Sequence, residues 1–376
     1  MGAVLHPHFL KEFLMRTFLQ KLVEIESPSH DKAAVDRVGA VVADECRKLG
    51  ADVEIIPNQQ TGDLVLARFH PSPQNSQRPI LILCHMDTVF PIGTLQKFPY
   101  REANGKIHGP GTLDMKSGIV IALTALANGA ADSRPVWALF TSDEEIGSQT
   151  SRIHIERLAR ECEVVFVLEG ALLDGSLKTW RKGGGDFHVT VKGRAAHAGG
   201  DHKAGRNAIE EMAHQVLAIQ KLTDYEKQTT LNVGVIHGGT VSNVIPDEAS
   251  IEVDVRVMLP GEWERIEAEM QKLKPVLDGT SLEIVGELNR PPMPYGEGNQ
   301  AAFKKAAQIA KAKLGIELKA GGTGGASDGN FVAPLGIPVL DGMGAIGEGY
   351  HSDREYIFAD SLEERAKLLE VLLRNW

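Results

Sequence analysis

Cysteine is scarce, with three thiols in 376 residues. Cys46, Cys84 and Cys162 are odd in number and far apart, so neither a disulfide framework nor a Cys-x-x-Cys zinc site can be drawn from them. Buried free thiols in a reducing compartment are the expectation. No apolar run approaches the ~20 residues that a membrane-spanning helix needs, which removes a membrane from the expected partners. A basic excess is missing as well: 40 Lys and Arg against 50 Asp and Glu give a net charge of −10. Nucleic acids and anionic membranes call for the opposite sign, so neither is an expected partner. Residues 1–26 thread charges through their apolar positions and lack the apolar core of a signal peptide. Met1-Gly2 is followed by His6 where a myristoylation signal carries Ser or Thr, and a cytoplasmic location is expected. The glycine-rich stretch 321–325 lacks the Lys-Ser/Thr of a phosphate loop and fits no dinucleotide fingerprint.

What the chain does contain is globular material, 43% apolar and 24% charged, at a length that suits two domains. Phe9, Leu10, Phe13, Leu14, Phe18, Leu22 and Ile25 recur at helical spacing. Further helices are expected over 32–49, 117–126, 301–314 and 362–373. Short apolar runs at 64–67, 80–83, 136–140, 164–168 and 338–341 read as strands, and the continuously apolar ones suit strands covered on both faces. The texture changes near residue 185. Phe187, Val189 and Val191 alternate with His188, Thr190 and Lys192, and Ile251, Val253, Val255 and Val257 alternate with Glu252, Asp254 and Arg256. Alternation predicts strands with one wet face. With helical patterns at 208–222 and 262–273, the order across 186–288 reads β-α-β-β-α-β, a ferredoxin-like arrangement. The expected fold class is an α/β domain with a mixed, mostly parallel sheet over residues 1–184 and 290–376, interrupted by an inserted α+β ferredoxin-like domain over 185–289.

The places where polar side chains fall carry the chemistry. His85 and Asp87 follow the apolar run that ends at Cys84. Asp143, Glu144 and Glu145 follow the run that ends at Thr141, and Glu169 follows Leu168. Ligands of open α/β sheets bind beyond the carboxyl ends of the strands, so these groups are expected at one edge. Asp114, in a turn-rich stretch, and His351, in a glycine-rich loop, can join them. Each alone has a plainer reading. A histidine at a strand end can be structural, an acidic triplet can be a solvated run or a helix start, and Glu169 can cap a helix. Taken together, carboxylates crowded without a cation would repel one another and resist ionisation. A pair of divalent cations removes that conflict, and imidazole with carboxylate suits zinc, with cobalt or manganese as substitutes.

Three ordered blocks carry a resemblance to a known family. Leu83-Cys84-His85-Met86-Asp87-Thr88-Val89, Gly109-Pro110-Gly111-Thr112-Leu113-Asp114-Met115-Lys116-Ser117-Gly118 and Ser142-Asp143-Glu144-Glu145-Ile146-Gly147-Ser148 resemble the signature blocks of the M20 metallopeptidases. Arg194-Ala195-Ala196-His197-Ala198-Gly199 adds a fourth, and the glutamate carboxypeptidase branch is the most similar. The resemblance runs from the first helix to the last. It implies a phosphorylase/hydrolase-like catalytic domain and makes the insertion a lid and dimerisation domain, hence a homodimer. It implies two Zn2+ per subunit, with Asp114 bridging them, His85 and Glu169 completing one site, and Glu145 and His351 completing the other. Asp87 would accept the second ring N–H of His85, and Glu144 would be the general base. The Asp114–Met115 peptide bond matches a cis position. His197 would stabilise the oxyanion in the partner subunit's site, while Asn243 and Arg256 would hold a substrate carboxylate.

The function so implied is hydrolysis of an amide bond in a small peptide or N-acyl amino acid, as in a carboxypeptidase. N-acyl amino acid deacylases and dipeptidases of the same family are the alternatives. A metal-binding scaffold without activity is the alternative outside catalysis, since fold does not fix function. Arg256 and His197 have plainer readings too, a surface salt bridge and a packed strand end.

Overall fold

Ile80–His85 is buried along its whole length, and so is Val164–Val167. Continuous burial requires partners on both edges and helices on both faces, and the computed structural model supplies them. It describes residues 7–70 and 77–376. Met1, Gly2 and His6, which fall short of a myristoylation signal, lie outside the described residues, as do the side chains of Phe9, Leu10 and Phe13.

Six strands form the main sheet, in the order Asp52–Ile56, Leu64–Phe69, Val136–Thr141, Ile80–His85, Val164–Val167, Val339–Leu340. The last four run parallel, and the first two are antiparallel additions at one edge. The sheet is therefore mixed with a parallel core, an α/β architecture. Helix Lys32–Lys48 buries Val35, Val38, Val42 and Cys46 on one face, and Asp31 caps it by accepting from the Ala34 N–H. Helix Ser117–Ala127 is apolar almost all round, as a helix enclosed on every side must be, and it packs against both Pro7–Val23 and Ala359–Asn375. Gly118 opens this helix. A Cβ there would collide with the Leu168 carbonyl oxygen, so the glycine lets the helix start nest against the strand end that carries Glu169.

A smaller antiparallel sheet aligns Gly347–Glu348, Tyr356–Phe358, Lys106–His108 and Arg101–Ala103. Its central pairing sets Tyr356 opposite His108, so the loops around Asp114 and His351 leave neighbouring strands side by side. All three cysteines are free and buried, and burial pushes the Cys46 and Cys162 thiols up to about 12. Among the described residues no helix is long and apolar enough to cross a membrane.

The chain divides into two units. One takes residues up to Trp180 together with Tyr295–Thr323 and Ser327–Trp376; the other takes Arg181–Pro294 with Gly324–Ala326. In the second, four antiparallel strands lie in the order Thr230–Gly238, Glu248–Val257, Gly183–Lys192, Ser281–Arg290. Helices Ala208–Gln220 and Glu262–Gln271 cover one face, where Phe187, Val189, Ile251 and Val253 meet Met212, Ile266 and Met270. Phe187 stacks on Trp263 with ring centroids 5.0 Å apart. On the opposite face, Asp254, Asp186 and Glu287 stand in one row across three strands. Like charges so placed repel. Asp186 shows it, its carboxyl raised by partial burial and by Glu287, Asp254 and Glu252.

Candidate metal centre

His85 is the last residue of its strand. Glu144 and Glu145 form a short turn just after Val136–Thr141, closed by Gly147 at φ 95°, a left-handed conformation that suits glycine. Glu169 stands just past Val164–Val167. The parallel strands thus deliver three groups to one edge, while Asp114 and His351 arrive from the loops of the smaller sheet. The peptide bond between Asp114 and Met115 is cis.

Five residues read from the sequence meet here. His85, Asp114 and Glu169 form one triad, and Asp114, Glu145 and His351 form another, the ligand atoms of each lying within 4.8 Å of one another. Asp114 uses both oxygens: Oδ1 is 3.0 Å from His85 Nε2 and Oδ2 is 3.2 Å from His351 Nε2. Glu169 Oε1 lies 3.5 Å from His85 Nε2, and Glu145 Oε2 lies 3.2 Å from His351 Nε2. Glu145 Oε1 is buried and has no hydrogen-bond partner among the described residues. A buried carboxylate oxygen left this way is costly unless it meets a cation.

The electrostatics of the cluster calls for positive charge. Burial acts to lower the His85 imidazole, yet Asp114, Asp87 and Glu169 hold it well above its ordinary value. Asp114 and Glu145 raise His351 to about 10 against its partial burial. Burial and the nearby Asp114 push Glu145 up to about 7, with His351 opposing. Burial would raise Asp114 too, but the two imidazoles bring it far below the usual carboxylate range. Three carboxylates and two imidazoles on a shared bridging acid are a donor set that fits two divalent cations.

Behind the cluster, Asp87 is fully buried. Its carboxylate accepts from Ser29 Oγ at 2.7 Å and from the backbone N–H of Glu145 at 3.1 Å and Glu144 at 3.3 Å. The His85 Nδ1 atom is 3.0 Å from the Asp87 carbonyl oxygen and 3.4 Å from its carboxylate. The carbonyl is thus the nearer acceptor of the ring N–H, and the carboxylate chiefly holds the acidic turn. Asp143, the first acid of the triplet, faces away from the cluster. It accepts from the Thr150 N–H at 2.8 Å, from Thr150 Oγ1 at 2.6 Å and from the Ser151 hydroxyl, closing the loop.

His197, Asn243 and Arg256 belong to the other unit. His197 is exposed, pairs with Val244 across a short two-stranded ribbon, and its Nδ1 accepts from the N–H of Gly199 at 3.2 Å and Gly200 at 3.0 Å. Asn243 is exposed beside it, its carbonyl accepting from the Ala198 N–H at 2.9 Å. Arg256 is gripped by Asp254 through two hydrogen bonds of 3.0 and 2.7 Å. It lies over Gly184, where a Cβ would press on its guanidinium.

Two buried charges near the centre escaped the sequence reading. Lys116 is enclosed and donates to the Ile25 carbonyl at 2.8 Å, burial bringing its amine down to about 7. Glu355 accepts from the backbone N–H of Gly111, Leu113 and Asp114, while burial and the Asp114 charge push its carboxyl up to about 8. Lys116 stands inside a signature block without a role there, and Glu355 precedes a strand too short to show a period, so spacing offered no signal for either.

A mixed α/β sheet here brings imidazoles and carboxylates to a shared aspartate, the donor set of a divalent-metal centre. The chain belongs to peptidase family M20/M25/M40, whose model matches residues 81–375. Carboxypeptidase G2 of Pseudomonas sp. (strain RS-16) is 31% identical over 373 residues, covering 95% of this chain and 88% of that protein. Succinyl-diaminopimelate desuccinylase of Azoarcus sp. (strain BH72) is 29% identical over 325 residues, 80% of this chain and 84% of that protein. The crystal structure of aminopeptidase PepT from Bacillus cereus ATCC 10987 has a TM-score of 0.81 at 21% identity, covering 97% of this chain and 98% of that one, a likeness of fold.

Proposed function

We propose that this chain is a di-zinc hydrolase that cleaves the amide bond of a small peptide or N-acyl amino acid bearing a free carboxylate, in the manner of a glutamate carboxypeptidase. The observation that carries the reading is the sharing of Asp114 between two triads, beside the unpartnered Glu145 Oε1. His85, Asp114 and Glu169 would hold one cation, and Asp114, Glu145 and His351 the other. Zinc suits these nitrogen and oxygen donors, with cobalt or manganese as substitutes. When bound, the two cations polarise the scissile carbonyl and make water a stronger acid.

The protein's own groups do the rest. Glu144 takes a proton from the attacking water and hands it to the departing amine nitrogen, a task for a carboxylate that holds no cation. Asp87 positions that turn, since its carboxylate accepts the backbone N–H groups of Glu144 and Glu145. His197, with Nδ1 accepting two backbone N–H groups, carries its ring proton on Nε2 when neutral. That N–H is the donor for the oxyanion, offered to the site of the partner subunit. Arg256 and Asn243 hold the substrate carboxylate, the guanidinium binding it with two parallel hydrogen bonds. The inserted unit acts as lid and dimerisation surface. Sedimentation in solution checks the dimer, and a monomer across the working concentration range would remove the role given to His197. A reducing, cytoplasmic setting fits the three free, buried thiols.

A deacylase is the second reading, favoured by the likeness to a succinyl-diaminopimelate desuccinylase. Parallel assays on folate, dipeptides and N-acyl amino acids separate the two. For the chemistry itself the decisive variant is Glu144→Ala. It should keep both cations while turnover falls about 10²–10⁴-fold, the usual share of a general base. Near wild-type turnover would end that assignment.

A further inference from the structure

Glu355 is a fully buried carboxylate with no part in the chemistry above. Its Oε1 accepts from the N–H of Leu113 at 2.7 Å and of Asp114 at 3.1 Å, and its Oε2 accepts from Gly111 at 3.1 Å. One side chain thus takes three backbone donors from a single loop, the loop that presents Asp114. The same short turn carries His351, whose Nε2 lies 3.2 Å from Asp114 Oδ2. That turn is closed on itself: Ser352 N–H donates to the Gly349 carbonyl at 3.1 Å, and Glu355 N–H to that of Ser352 at 3.2 Å. Asp114 is therefore gripped from one turn at both ends, its carboxylate by His351 and its backbone by Glu355.

We propose that Glu355 is a positioning residue that aims the two carboxylate oxygens of Asp114 and so sets the affinity of the cation pair. The proposal rests on the two-cation reading. Anchoring a loop does not by itself call for a charge, and a buried carboxylate beside that of Asp114 is unfavourable in isolation. Cations held by Asp114 would offset that cost, while the two Glu355 oxygens keep three N–H groups aligned. Groups that orient metal ligands in this way contribute about 10–100-fold to affinity or activity.

The test is a cobalt titration of the metal-stripped full chain, followed by visible absorption, for wild type and Glu355→Gln. Gln keeps the size but loses the charge and one acceptor. The binding midpoint should weaken about 10–100-fold and the cobalt bands should shift. KM at saturating cobalt should stay near wild type. Glu355→Asp, which keeps the charge on a shorter arm, should fall between the two and serves alone if Glu355→Gln is insoluble. A folded variant with the wild-type midpoint and spectrum overturns the proposal, even if its thermal stability has dropped, because that is the result of plain loop anchoring. Wild type that takes up no cobalt pair overturns the two-cation reading itself, and the two failures are told apart by that control.

Discussion

Asp114 is the pivot because it has two oxygens and spends each on a different imidazole. Removing it would leave His85 and His351 without a common partner and the flanking acids facing each other. Arg256 presents the opposite situation, a group already satisfied by its neighbour. Asp254 holds the guanidinium with two hydrogen bonds, so a substrate carboxylate must compete for it. Arg256→Ala should raise KM at least tenfold for carboxylate-bearing substrates, since hydrogen bonds to charged groups contribute about 1.5–3 kcal/mol, with cation content unchanged. Asp254→Asn should lower KM by freeing the guanidinium. Steady-state kinetics on both variants decides this. An unchanged KM in Arg256→Ala removes the residue from substrate binding, and an unchanged KM in Asp254→Asn removes only the competition.

At the scale of elements, the strands that build the centre were legible because burial on both faces leaves an unbroken apolar run, as at residues 80–84 and 164–168. The alternating strands were legible for the opposite reason: Phe187, Val189 and Val191 face helices while Asp186 and His188 do not. Lys106–His108 and Gly347–Glu348 were not, being too short to show a period. Helix Arg152–Glu161 buries only Ile155, Leu158 and Ala159, and its charges masked it. Ion pairs tie elements together in ways that pH can probe. Glu262 opens helix Glu262–Gln271, bonds Arg265 one turn on and accepts from Thr229 Oγ1 at 2.7 Å. Arg265 outweighs burial and holds the carboxyl down to about 2, below its ordinary 4.5. A depressed carboxyl stabilises the fold above its unfolded pKa and loses that contribution as pH falls through the folded one. Urea midpoints should thus place Glu262→Gln below wild type at pH 7, with the gap closing between pH 4.5 and 2. A gap of constant size would show that the carboxylate's charge contributes nothing.

At the scale of the whole molecule, the site joins parts that sequence distance keeps far apart: Asp114 and His351 are 237 positions distant. Two rules bridged that gap. Strand ends of one sheet share an edge, which linked His85, Glu144, Glu145 and Glu169; a signature block held Asp114, and the family resemblance added His351 from its glycine-rich loop. Neither rule reaches Glu355, and the block that contains Lys116 gives it no role; the importance of both lies in what encloses them rather than in their spacing. Nor does spacing reveal that Asp143 faces away from its two acidic neighbours, since that depends on how the loop closes through Thr150 and Ser151.

Diffraction from zinc-loaded crystals on both sides of the zinc absorption edge tests the central claim most directly. The account predicts two anomalous peaks per subunit, one bonded to His85, Asp114 and Glu169 and the other to Asp114, Glu145 and His351. A single peak, or a pair of peaks neither of which touches Asp114, would contradict it.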